Sequence, residues 1–212
     1  MDTPLGTLII ACGALAHEIA ALRRANAWTA LDVCCLPPEL HNRPERIAPA
    51  VQEKIRAHRG EYRSIFVAYG DCGTGGRLDA VLREEGVERL PGAHCYEFFA
   101  GARAFAEMAD SEPGTFYLTD FLTRHFERLV VRGLGIDRHP ELTQEYFRNY
   151  RKVVYLAQIR SAALLEQARQ IALRLGLAFE HRDTGFGELG TRLTTLATAA
   201  TAAAERTPAW QT

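Results

Sequence analysis

The chain has 212 residues, 47% of them hydrophobic and 24% charged, which is enough for one sizeable domain with its own core. A formal net charge of -1 excludes a global field that would steer the protein toward nucleic acid or an anionic membrane. Five cysteines are an odd number for a disulfide framework, and reduced thiols in a cytoplasm fit a chain of this size better.

Taken in chain order, short apolar runs alternate with helical patterns. "TLIIAC" (7–12) reads as a first strand and leads into "GALAHEIAALRRAN", where Leu15, Ile19 and Leu22 mark one helical face. The same "LIIAC" before Gly13 resembles a lipoprotein cleavage site with Cys12 as the lipidated residue. However, "MDTPLGT" before it carries an acidic residue and no Lys or Arg, and the apolar run is too short for a signal sequence. No run approaches the ~20 apolar residues that span a bilayer.

"LDVCCL" (31–36) is the second strand, followed by a proline-rich connection and the helix "RIAPAVQEKIRAHRG". "SIFVAYG" (64–70) leads through "DCGTGG" into a helix carrying Leu78, Val81 and Leu82 that stops at Gly86. "VERLPGAHCYEFFAG" reads as a short strand and the start of a helix. "GTFYLTDF" (114–121), "KVVYLAQI" (152–159) and "LAFEHRD" (177–183) are the remaining strands. Between the last two lies the clearest helix, with Leu165, Ala168 and Ala172 on one stripe and Gly176 as its stop. Residues 121–151 hold about two helices and no strand, and read as an insertion over one edge or over the site. Residues 191–212 form a last helix or a frayed end.

This alternation predicts an α/β fold: a single domain over residues 1–190 with a mostly parallel β-sheet, helices on both faces, in a Rossmann-like three-layer arrangement. Ligands of such sheets bind outside the carboxyl ends of the strands. Cys12 closes the first run, Cys72 follows the third and Cys95 follows the short fourth, so three segments bring a thiol to one edge. Cys34 and Cys35 lie inside a strand, where neighbours point to opposite faces, and at least one of them reads as packing.

Three convergent thiols have three uses: ligands of zinc or another soft metal, ligands of an iron–sulfur cluster, or a nucleophile with two bystanders. Their spacings match no local zinc-ribbon pattern, and free cysteine is in any case a frequently buried residue. In the loop Asp71, Gly73, Thr74, Gly75 and Gly76, backbone N–H groups can turn toward an anion at the start of a helix. The same glycines also suit a plain tight turn, with Asp71 orienting a ligand or capping the helix. His94, beside Cys95, is a candidate for proton transfer. In "CLPPELHNRPERI" the prolines stiffen a loop that presents His41 and Arg43 to the edge; the alternative is a solvated loop with Pro44 opening the next helix. Thr119, Asp120 and Gln158, and His181 with Asp183, end later strands and fall on the carboxyl edge by the same rule.

The set "ACGALAHE", "LPPELHNRPE", "YGDCGTGG", "GAHCYEFFAG", "GTFYLTDFL" and "NYRKVVYLAQ" resembles a bacterial and archaeal family of unknown function. The likeness runs from about residue 8 to about 190. The resemblance implies a family whose members are often encoded near corrinoid-dependent methyltransferases. The resemblance therefore implies one-carbon or corrinoid metabolism, with a corrinoid protein or methyltransferase as partner. Together these readings predict a metal-dependent methyltransferase in which Cys12, Cys72 and Cys95 hold zinc or a cluster and an anionic or corrinoid ligand sits above. The alternatives are a non-catalytic carrier of metal, cluster or corrinoid, and a metal-free cysteine-nucleophile enzyme.

Overall fold

The computed structural model describes residues 5–205. Among these residues, seven strands form two wholly parallel sheets in Rossmann-like layers with the helices. The first sheet contains β1 (Leu5–Cys12), β2 (Leu31–Leu36), β3 (Tyr62–Ala68) and β4 (Glu88–Arg89) in the order β2-β1-β3-β4. The second contains β5 (Thr115–Thr119), β6 (Lys152–Ala157) and β7 (Ala178–Asp183) in that order. The α/β class and parallel pairing are as the sequence predicts, with the strands shared between two sheets. The described residues up to Cys95 and from Leu189 onward form one compact unit, and Tyr96–Glu188 form another.

In the first unit, β1 is buried on both faces, as its unbroken apolar run requires. Leu8, Ile9, Ile10, Ala11 and Cys12 are all buried. Its register sets Ile9 beside Val33 on one side and Phe66 on the other. Of the helices α1 (Ala16–Ala25), α2 (Ile47–Ala57) and α3 (Arg77–Glu85), α1 buries Glu18 and Ile19, while α2 and α3 each bury residues at helical spacing. The stripe of α2 is the most regular: Ile47, Val51 and Ile55 recur every four residues and are fully buried. The chain after residue 190 is helical as far as described. It belongs to a helix over Gly187–Glu205, which buries Leu189, Leu193, Ala197 and Ala200 at helical spacing. Arg192 from this helix lies over the Phe66 ring at 5.0 Å and pairs with Glu88 at 2.7 Å, which ties its described part to the first unit; residues 206–212 of the expected tail lie outside the described residues.

In the second unit, residues 121–151 hold three short helical segments, one more than the two expected, and no strand: Asp120–Arg124, a π-helix over Glu127–Arg132, and Leu142–Phe147. Phe126, Val130, Val131, Ile136 and Phe147 from this stretch pack in one core with Val153 and Tyr155 of β6. The long helix Ala162–Leu175 buries Leu164, Ala168, Ile171 and Ala172, which puts Leu165 at the edge of the stripe instead of on it. Among the described residues no helix is long and apolar enough to cross a membrane.

The order β2-β1-β3-β4 has one consequence for function. The chain leaves β1 toward one side for β2, then crosses to β3 on the other side. The carboxyl ends of β1 and β3 therefore flank the crevice where connections diverge, the position that α/β sheets use for ligands.

Candidate thiolate site at the first sheet

Cys12 is the last residue of β1, fully buried, and its sulfur accepts from the Ala14 N–H at 3.4 Å. The next residue has to be glycine. A Cβ at Gly13 would lie 2.8 Å from the Leu36 carbonyl oxygen and 2.8 Å from Pro38 Cδ. That close approach seats the proline turn after β2 against the end of β1. The short 3-10 turn Pro38–Asn42 then carries His41 inward until its Nδ1 is 3.6 Å from the Cys12 sulfur.

The second arm comes from β3. Tyr69 follows the strand and is fully buried. At Gly70 a Cβ would stand 3.0 Å from the His94 carbonyl carbon, so here too glycine lets two backbones meet. The loop is then fastened: Asp71 N–H donates to the Gly92 carbonyl at 3.0 Å and Cys72 N–H to that of Ala93 at 2.8 Å. Cys72 sits at φ 48°, a left-handed conformation that a side-chain-bearing residue adopts at a cost of order 1–3 kcal/mol. The 90–92 stretch is anchored in turn by Arg89. Its guanidinium donates to Asp79 at 2.6 and 3.0 Å and to the carbonyls of Leu90 and Gly92.

The donors of the glycine loop are spent internally. The Asp71 carboxylate accepts the Thr74 hydroxyl at 2.5 Å, Gly75 N–H at 3.1 Å and Gly76 N–H at 2.9 Å. Thr74 first, then these two amides, outweigh burial and hold the Asp71 carboxyl below its usual range. The Asp71 carboxylate thus occupies the amides of Gly75 and Gly76 just ahead of α3, whose N-cap Gly76 receives no side-chain cap. Arg43 is exposed.

The third arm is the helix Cys95–Ala100, whose first residue is the buried Cys95. Its thiol donates to the Cys72 sulfur, the largest influence on Cys72. Against the opposing effect of burial, Cys95, His41 and His94 together bring the Cys72 thiol down to about 3. Cys72 is therefore a thiolate across the physiological range. Cys95, as donor to that thiolate and buried, is pushed up and stays a thiol. Burial pulls His41 down, but its hydrogen bonds to Cys12 and Cys72 outweigh this and lift the imidazole to about 11. The centre is thus a thiolate–imidazolium pair flanked by a second and a third thiol. His94 is exposed, with its own hydrogen bond to Cys72.

The structure therefore brings Cys12, Cys72, Cys95, His41 and His94 together. Sequence reasoning missed Tyr69. Its signal was its position, one residue past a strand end and just before Gly70, at the same carboxyl edge. Cys35 is exposed and Cys34 half-buried, so neither is a core residue, and all five cysteines are free. Among the described residues, no three or more of His, Cys, Asp and Glu are grouped so that they could hold a metal ion as they stand. The donor chemistry still suits a soft metal, with three sulfurs and an imidazole. In this arrangement a proton on His41 supplies the positive charge beside Cys12 and Cys72. A metal ion would compete with that proton for the same electron pairs.

No curated protein and no solved structure shows a match to the chain. Residues 35–193, which include His41, Cys72, His94 and Cys95, match the family model described as Protein of unknown function (DUF1638), and the chain belongs to that family.

Proposed function

We propose that Cys12, Cys72 and Cys95, with His41, are the seat of a zinc ion or an iron–sulfur cluster in a cytoplasmic protein that transfers one-carbon groups to or from a thiol. The observation carrying this reading is the Cys72 thiolate, held at a topological switch point by an imidazolium and a neighbouring thiol. A lone nucleophile needs one sulfur and one base, whereas here three sulfurs arrive on three separate connections. When bound, the metal would supply Lewis acidity that keeps a thiolate reactive near neutral pH.

The chain's own residues do the rest. With the metal bound, His41 would be neutral and would orient Cys12. His94, exposed and bonded to Cys72, takes the proton of an incoming thiol. In the transfer, a thiolate lone pair forms the carbon–sulfur bond while the donor, a methylated corrinoid or a methylammonium compound, keeps the electrons of the bond that breaks. Methyl chemistry and a corrinoid or methyltransferase partner rest on the family resemblance, the thiolate on the geometry.

The test is metal analysis and a visible spectrum of anaerobically purified protein, beside Cys12→Ala, Cys72→Ala and Cys95→Ala. Zinc near one equivalent, or iron and sulfide in cluster ratio, lost in each variant, is the expected result. Metal-free wild type that stays empty after reconstitution with Zn²⁺ or with iron and sulfide would overturn it. A specific observation favours a second reading: the thiolate–imidazolium pair is complete without metal, and no metal-holding group is formed among the described residues. Cys72 is then the nucleophile of a metal-free enzyme, and Cys72→Ala abolishes turnover while Cys12→Ala does not.

A further inference from the structure

In the metal-free reading Cys72 has a task and Cys95 has none, yet Cys95 is held against it. The two chain segments are pinned together through their backbones. Asp71 N–H donates to the Gly92 carbonyl at 3.0 Å, and Cys72 N–H to that of Ala93 at 2.8 Å, two residues before Cys95. Gly70 lets the segments close up, since a Cβ there would stand 3.0–3.2 Å from three backbone atoms of His94. Between the two segments the Cys95 thiol meets the Cys72 sulfur. Cys12 is turned to other partners, the His41 ring at 3.6 Å and the Ala14 N–H at 3.4 Å. Exposure separates the three residues as well: Cys12 is closed off at 0%, while Cys72 and Cys95 keep 6% and 8%. An opening that narrow favours the smallest oxidants.

We propose that Cys72 is a site of oxidation by hydrogen peroxide and that Cys95 captures the product as a Cys72–Cys95 disulfide. The inference rests on the metal-free reading of Cys72 as a nucleophile, and names its electrophile. First, the Cys72 thiolate attacks one peroxide oxygen, forming the S–O bond as the O–O bond breaks. The hydroxide that leaves takes a proton from solvent and departs as water, and Cys72 is left as a sulfenic acid. Next, the Cys95 sulfur attacks the Cys72 sulfur and the S–O bond breaks. The departing hydroxide takes the Cys95 proton and leaves as a second water. A thiol already in contact closes the disulfide before more peroxide carries Cys72 to the irreversible sulfinic acid. An external dithiol resets the pair by exchange.

The test treats the reduced full-length chain, in EDTA, with hydrogen peroxide. Thiols are then counted in denaturant and bonded peptides mapped by mass spectrometry. The five thiols should fall to three, with Cys72 joined to Cys95, and dithiothreitol should restore all five. In Cys95→Ser, Cys72 should instead be trapped by dimedone as a sulfenic acid, passing to a sulfinic acid that dithiothreitol does not reverse. Mapping of the wild type decides the pairing even where the serine variant does not fold. A Cys72 joined to Cys12, or carried to sulfinic acid with Cys95 still reduced, overturns this inference alone. So does a Cys72 that iodoacetamide alkylates in the native chain but peroxide leaves reduced. A Cys72 that neither reagent modifies removes the nucleophile reading and this inference together.

Discussion

Each of the two sheets ends in a carboxyl edge with buried polar groups and a buried hydroxyl lacking a geometric partner, Tyr69 at the first and Thr123 at the second, and the two edges differ in the chemistry built around them. At the second sheet, Asp120 is buried and its carboxylate is fully used. One oxygen accepts from the Tyr155 hydroxyl at 2.6 Å and from Gln158 N–H at 3.2 Å, the other from Ile159 N–H at 3.1 Å. Gln158 completes the loop, accepting from Asp120 N–H at 2.8 Å and donating to the Leu156 carbonyl at 2.6 Å. At the first sheet the buried groups are the sulfurs of Cys12, Cys72 and Cys95, none of them in a disulfide, with Cys72 held as a thiolate beside a proton on His41. A carboxylate whose oxygens are fully used fixes a loop, while a thiolate retains the capacity to bind or react with something else. The sequence placed candidates at both edges by the same rule, and the side-chain chemistry gathered at each edge tells them apart.

The sharpest way to break this comparison is Asp120→Ala. It strands the Tyr155 hydroxyl and two buried or half-buried N–H groups, so unfolding by urea should show a loss of about 3 kcal/mol or more. The thiolate of Cys72, followed by its ultraviolet absorbance against pH, should titrate as in wild type. A loss below about 1 kcal/mol would mean that the Asp120 network is not the structural brace described here.

Next comes the thiolate itself. Wild type should retain one thiolate at pH 5, absent in Cys72→Ala. In Cys95→Ala the inflection should move up most, because the Cys95 thiol is the largest influence lowering Cys72. In His41→Ala it should move up less, toward but not reaching the ordinary value of 9.0. An inflection unmoved by either substitution would show that Cys72 owes its charge to something else.

Stability should follow the same pair with pH. Cys72 is depressed from 9.0 to about 3, so its contribution is complete above pH 9 and lost as pH falls toward 3. His41 is raised from 6.5 to about 11, so its contribution is complete below pH 6.5 and lost as pH rises toward 11. Between those ordinary values the two slopes cancel. Comparing wild type with Cys72→Ala/His41→Ala, the difference in unfolding free energy should be flat from about pH 6.5 to 9 and shrink on either side. A difference that keeps rising through that window would mean that the two groups do not act as a pair.

Much of this was legible in the chain. Strand ends were marked by apolar runs stopping at Cys12 and at Gly70, two residues past the end of β3, helix stops by Gly86 and Gly176, and the gathering of Cys12, Cys72 and Cys95 was read from the rule that places ligands at strand carboxyl ends. Three things were not legible. The division of seven strands between two sheets depends on long-range pairing that local periodicity does not encode. The fate of the glycine loop turned on one side chain: "DCGTGG" reads equally as an anion cradle or a capped turn until Asp71 is seen folded back onto Gly75 and Gly76. Tyr69 looked like one more apolar residue of its strand, because burial of a ring hides what its hydroxyl lacks.

The smallest expected effect tests how His41 is held. Its loop is seated by contact, with Gly13 beneath Leu36 and Pro38, and by the stiffness of Pro37 and Pro38. Arg43, two residues on, is exposed. If packing alone sets the loop, Arg43→Ala changes stability by no more than about 0.5 kcal/mol, the usual range for a surface substitution. It also leaves the Cys72 titration where it was. Should the inflection rise as it does in His41→Ala, the guanidinium would be steering His41 toward the sulfurs, and the loop would belong with the charged machinery of the first edge. An unmoved inflection leaves Arg43 to whatever approaches from solvent. Gly13→Ala then becomes the stronger perturbation of His41, since its methyl group must displace the proline turn that carries the imidazole.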